Sequence, residues 1–228
     1  MIGITSYTQV LNNKTFEFPI RPNDGKWETI TSIGQRLEML QIPSNKLTEI
    51  PTSELLEICL EFPYLLDVLF SDNCQLGFEC LKREFNGFNE LLQRDDLLNI
   101  IIVKSKSLSN EIEAIQSHDS FDRGNFSFKW FVFEMIIAQD DMLKKMFISD
   151  VKQMADISMD NLIIKKKYPN LFSDFNTIPT YLLFAKVIER SKIDIDNETY
   201  ERLEKFINDP FFLDTVLMKD IDIIMKKE

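Results

Sequence analysis

The single histidine of the chain, His118, stands in the string Ser117-His118-Asp119-Ser120-Phe121-Asp122-Arg123-Gly124-Asn125. Such a string could serve a general base, with Asp119 or Asp122 orienting the imidazole, or it could supply a calcium loop. Neither pattern is complete. A calcium loop needs oxygen ligands at alternate positions and a closing Glu, and Arg123 brings a cation where a ligand belongs. The spacing predicts a polar loop between helices.

Other chemistries have less to build on. The six glycines are scattered singly, so there is no phosphate-cradling loop, and G-x-S-x-G, H-E-x-x-H and paired C-x-x-C strings are missing. Cys59, Cys74 and Cys80 are odd in number and wrongly spaced for zinc or redox chemistry; they are expected as buried, reduced thiols, with Cys59 and Cys80 in helix-patterned segments. Glycosidases need only two carboxylates, and the chain has many, but surface charge accounts for abundant acids without catalysis. Lys165, Lys166 and Lys167 run into Tyr168-Pro169 and read as a solvated helix end. Phe126, Phe128, Trp130, Phe131 and Phe133 could line a groove for a peptide or sugar, although helical spacing predicts burial in the core. The sequence therefore assigns no catalytic, cofactor-binding or metal-ligating residue and implies no cofactor.

Charge narrows the partners. Thirty-seven acidic residues against 26 basic ones give a formal charge of −11, a field that repels phosphate backbones and anionic lipid, so neither nucleic acid nor a membrane surface is expected. The most hydrophobic run, Phe131 to Ala138, is short and contains Glu134, which predicts no membrane insertion. Met1 to Leu11 lacks the charged and apolar blocks of an export signal, and on this ground the cytoplasm is the expected location.

The elements follow from punctuation and period. With 44% apolar residues, 19 Phe and few Gly or Pro, the composition favours helices. Residues 1–26 differ: Val10-Leu11 and Phe16-Glu17-Phe18 flank Asn12-Asn13-Lys14, and Pro19, Pro22 and Gly25 follow, which predicts an extended arm or short hairpin. Trp27 is expected to pin that arm to the body. Residues 27–228 read as a helical domain. Ser32 with Gln35 forms a capping box, Thr52 or Ser53 opens a helix, Pro63 separates two, Asn73 and Asn86 cap the next pair, and Asp95 or Asp96 opens Leu97 to Val103. The polar stretch 104–125 is a candidate hinge containing a short helix near 110–116. Beyond it, helices are expected over 126–147, 151–168, 178–190, 197–207 and 211–225. The predicted class is all-α, with at least eight helices arranged either as an irregular α-solenoid of helix pairs or as a compact multi-helix bundle.

From residue 30 to residue 102 the strings become distinctive: Ile42-Pro43, Thr52-Ser53-Glu54-Leu55-Leu56, Cys59-Leu60-Glu61-Phe62-Pro63-Tyr64, Gly77-Phe78 and Phe85-Asn86-Gly87-Phe88-Asn89-Glu90-Leu91, followed by Arg94-Asp95. Ala138-Gln139-Asp140 and Tyr181-Leu182-Leu183-Phe184-Ala185-Lys186 extend the likeness. The chain resembles a family of uncharacterised, mostly exported helical proteins of gut Bacteroidetes and related bacteria. That resemblance implies no activity and points toward the cell envelope or secretion if an export signal was removed upstream, whereas the chain as given points to the cytoplasm. The expected function is a non-enzymatic module binding a protein or peptide along a groove between helix pairs; the alternatives are a carboxylate-based hydrolase of envelope glycan or peptide, and a structural envelope component. Phe85-Asn86-Gly87-Phe88 is expected to be structural.

Overall fold

A computed structural model describes residues 15–211 and 214–226. Of these, 73% are helical and none lies in a strand, so the all-α class stands. The helices are α1 (Gly25–Thr29), α2 (Ile33–Leu40), α3 (Ser44–Leu47), α4 (Thr52–Leu60), α5 (Cys74–Glu84), α6 (Asn86–Gln93) and α7 (Leu97–Ser105) in the first half. The second half adds α8 (Leu108–Ile115), α9 (Ser120–Ile137), α10 (Asp140–Lys145), α11 (Ile148–Lys167), α12 (Ile178–Ser191), α13 (Asn197–Asn208) and α14 (Thr215–Met225). Two 3-10 turns, Leu65–Phe70 and Asp174–Thr177, precede α5 and α12.

Two helices form the centre. In α9 every residue from Phe128 to Ile137 except Lys129 is buried, and in α12 every residue from Ile178 to Ile188 is buried. A helix apolar on all sides has to be surrounded, and both are: α9 meets α4, α5, α8, α10 and α12, while α12 meets α11, α13 and α14. A solenoid confines contacts to neighbouring repeats, so these long-range contacts decide for compact multi-helix packing.

The expected 126–147 helix is two helices. It starts earlier because the Asp119 side chain accepts from the Asp122 amide at 2.9 Å and caps α9 at Ser120. It breaks at Ala138-Gln139 because side chains satisfy the last carbonyls: Lys186 donates to the Ala138 carbonyl at 3.0 Å, and the Gln139 amide donates to that of Met135 at 2.8 Å. The 104–125 stretch holds the end of α7, all of α8 and the first turns of α9, with Leu108 and Ile112 buried. The last helix starts at Thr215, capped by Asp214; of the expected 211–225 span, residues 212–213 lie outside the described residues.

Within the arm, Val10-Leu11 and Asn12 to Lys14 also lie outside the described residues. From Thr15 to Asp24 there is neither helix nor strand, and burial alternates: Phe16, Phe18 and Ile20 are in the core while Glu17 and Pro19 face solvent. Phe18 meets Phe62 and Phe85 with ring centroids 6.1 and 5.5 Å apart. Trp27 stacks near Tyr64 at 5.1 Å, and the Arg36 guanidinium lies 4.6 Å from its ring centre. The arm is thus pinned by its own phenylalanines as well as by Trp27.

Candidate functional site

Helices α4, α7, α8 and α9 enclose a groove of about 200 Å³. Its floor is Phe126, Trp130 and Phe133, one face of α9 at the spacings three and four, with Trp130 and Phe133 in edge contact at 5.0 Å. These rings are both core and groove: Trp130 and Phe133 are buried and show only edges, whereas Phe128 and Phe131 belong to the core alone. Across the floor Lys104 of α7 holds Glu57 of α4 and Glu111 of α8, with its Nζ 3.2 Å from an oxygen of each and 6.0 Å from the Trp130 ring centre. Ser107 at the start of α8 donates to Glu111 and orients it. Burial alone would lower the Lys104 ammonium, but the two carboxylates outweigh it and hold the group above its ordinary value. Lys129 also lines the groove.

The His118 string is used otherwise. His118 Nδ1 lies 3.0 Å from Asp122 Oδ2 on an exposed surface, both side chains about half exposed, and Asp119 is spent on capping α9. The loop predicted for 117–125 is confined to the residues before Ser120. Among the described residues no group of three or more His, Cys, Asp and Glu side chains converges as a metal site, and no helix is long and apolar enough to cross a membrane.

The lysine run divides. Lys167 is exposed, but Lys165 is only 1% exposed and donates to Glu134 Oε2 at 2.6 Å, a correction to the solvated helix end expected from the sequence. Thr180 donates to the same oxygen at 2.7 Å, and the ammonium reaches the Asn176 carbonyl at 3.3 Å. Burial lowers the Lys165 ammonium below its ordinary value, with Glu134 opposing. Sequence reasoning missed this pair because the partners are 31 residues apart on α9 and α11; Glu134 inside an otherwise apolar run was the available signal. Lys166 is also engaged, donating to the Tyr181 hydroxyl and to Asp222 at 3.0 Å each, which ties α11, α12 and α14 together.

The thiols are free. Cys59 and Cys74 are buried, as expected of reduced thiols, whereas Cys80 is half-buried, with the Arg83 guanidinium 3.2 Å away. Burial pushes the Cys59 thiol well up and Cys74 up to about 12, so neither supplies a thiolate at neutral pH. This has a consequence for stability. An unfolded thiol ionises from about pH 8.5, while the folded Cys74 holds its proton to about 12. The folded state binds more protons between those values, so stability is complete below the window and falls as pH rises through it, by up to about 1.4 kcal/mol per pH unit for one group. Urea unfolding from pH 8 to pH 11 is expected to show that fall, and Cys74→Ala is expected to make it shallower. A pH-independent midpoint would contradict the assignment.

The chain matches no family model, no curated protein and no solved structure.

Proposed function

We propose that the protein is a non-enzymatic interaction module that binds a peptide segment in the groove between α4, α7, α8 and α9. The observation that carries this reading is the pairing of an aromatic floor, Phe126, Trp130 and Phe133, with polar walls already fixed by the Glu57–Lys104–Glu111 bridge. Concave sites lined by aromatics with a few placed polar groups bind ligands, and here the polar groups need no rearrangement to do so. The resemblance of residues 30–102 to exported proteins of gut Bacteroidetes adds the proposal that the partner is met in the cell envelope.

One observation favours a carboxylate hydrolase as the second reading: sharing one ammonium brings an oxygen of Glu57 and one of Glu111 to no more than about 6.4 Å apart, close to the separations of glycosidase pairs. The same ammonium argues against it. A hydrolase needs the space between its two carboxyl groups open for the scissile bond and a water, and here the Lys104 Nζ stands there, 3.2 Å from an oxygen of each.

Panning a phage library of blocked peptides on the full chain tests the binding reading. Selected peptides are expected to lose roughly tenfold or more in affinity for Glu57→Trp, which fills the groove mouth. Equal binding to wild type and variant would overturn it. Cleavage of peptide or glycan substrates by the wild type, abolished in Glu111→Gln, would replace it with the hydrolase.

A further inference from the structure

A second surface stands apart from the groove's residues. The Leu65–Phe70 turn is 3-10, with about three residues per turn, so side chains three apart share a face. Leu65 and Val68 form the buried face. Leu66 and Leu69, on the next, are 55% and 46% exposed, and Phe70, which shares the third face with Asp67, is 85% exposed. Leu76, on the helix packed against this turn, is 49% exposed. The turn is held close to α5: a methyl group on Gly77 would collide with the Val68 carbonyl and side chain, so the apolar side chains are presented by a fixed backbone. Exposed apolar residues scattered singly need no explanation, but four on two packed elements do.

Acids stand among them. Asp67 is in the turn, Asp72 follows it, and Glu84 ends α5 close enough for Asp67 to act on it. The Glu84 Oε2 and Tyr64 hydroxyl oxygens are buried without a hydrogen-bond partner. Burial raises the Asp67 carboxyl, and burial followed by the Asp67 charge raises that of Glu84, with Arg83 a weaker opposing cation. The acids of this surface are thus incompletely answered.

We propose that Leu66, Leu69, Phe70 and Leu76, with Asp67 and Glu84, form a docking surface for a basic amphipathic segment of a partner protein. Charge chooses the occupant. An anionic membrane would meet Asp67, Asp72 and Glu84 on the same surface, and like charge repels it. A second copy docked through the same face would bring its own Asp67 and Glu84 into the contact, adding acids without cations to answer them, because a two-fold interface uses the same patch on both copies. A segment carrying Leu and Lys covers the apolar side chains and brings the missing cations.

The probe is a fluorescein-labelled amphipathic peptide of Leu and Lys, compared with the same peptide carrying acetyl-lysine, with binding to the full chain read by anisotropy. The Lys peptide is expected to bind roughly tenfold or more tightly than the acetylated one. Leu66→Ser/Phe70→Ser and Asp67→Asn/Glu84→Gln are each expected to weaken it by about tenfold. Glu198→Gln/Glu201→Gln, removing as much charge from α13, is expected to change it by less than about threefold. Circular dichroism melting shows each variant folded. Equal losses in the two charge variants would mean attraction to the acidic protein at large, and an unchanged Leu66→Ser/Phe70→Ser would mean that the apolar side chains are not engaged; either overturns the proposal, as does no binding. Displacement of the Lys peptide by groove-selected peptides would assign it to the groove, overturning this surface while leaving the groove reading intact.

Discussion

Lys165→Met is expected to destabilise the protein by about 3–5 kcal/mol, the cost of leaving one member of a buried ion pair without its partner. The Lys165 and Glu134 side chains are 0% and 6% exposed, so water cannot solvate the Glu134 carboxylate once the ammonium is gone. Thr180 still donates to it at 2.7 Å, but one neutral hydroxyl does not replace a charge. Replacing the whole cluster, with Glu134→Met, Lys165→Met and Thr180→Val together, is expected to recover most of the loss, since packed apolar groups of similar volume often match a buried pair. Urea midpoints of the single and triple variants check this. A single variant as stable as wild type would show that the pair is hydrated.

The other half of the pair behaves differently, and pH exposes the difference. In Glu134→Leu the ammonium loses the carboxylate that opposes the effect of burial. The folded lysine, already below its ordinary value with Glu134 present, then releases its proton at still lower pH, while the unfolded one holds it to about 10.4. The unfolded state binds more protons in that window, so the stability of Glu134→Leu is expected to rise with pH through it. Lys165→Met has no lysine at this site to release, and its curve is expected to lack that rise.

Why one part of this fold was legible and another was not comes down to the range of the interactions. Ser32 accepts from the Gln35 amide and Asn73 from that of Leu76, three residues on, and both were readable as caps because donor and acceptor sit in one window. The central helices were readable from continuous apolar runs. The break at Ala138 was not, because it depends on Lys186 arriving from α12, 48 residues later. The groove was half legible: its aromatics share a helix face by spacing, but Glu57, Lys104 and Glu111 come from three helices and have no common window. Asp67 and Glu84 were invisible for the same reason.

Phe88→Ala is expected to cost about 3–5 kcal/mol, because deleting a fully buried ring removes its contacts and leaves a cavity that close-packed neighbours cannot fill. Phe88 is 0% exposed, 5.5 Å from the Phe78 ring and 6.0 Å from that of Phe85, and Phe85 itself stacks on Phe62 at 4.7 Å. Gly87 belongs to the same arrangement, since a methyl group there would collide with the Phe85 ring. Asn86, expected as a cap, is instead the first residue of α6 and clamps a distant segment. It accepts from the Ile42 amide at 3.1 Å and donates to the Ile42 carbonyl at 2.8 Å, while its own amide donates to Gln41 Oε1 at 3.0 Å. Asn86→Ala breaks both side-chain bonds and deprives two Ile42 backbone groups of this partner, so its cost is expected at about 2–3 kcal/mol rather than the roughly 1 kcal/mol of a lost cap. Asn86→Asp separates the two roles: it keeps an acceptor for the Ile42 amide but turns a carboxylate oxygen toward the Ile42 carbonyl, so a clamp predicts a loss near that of Asn86→Ala. A helix cap would tolerate Asp, which serves as well as Asn at a helix start. Thermal unfolding of the three variants decides between them, and wild-type stability in Asn86→Asp would return the residue to the role of a cap.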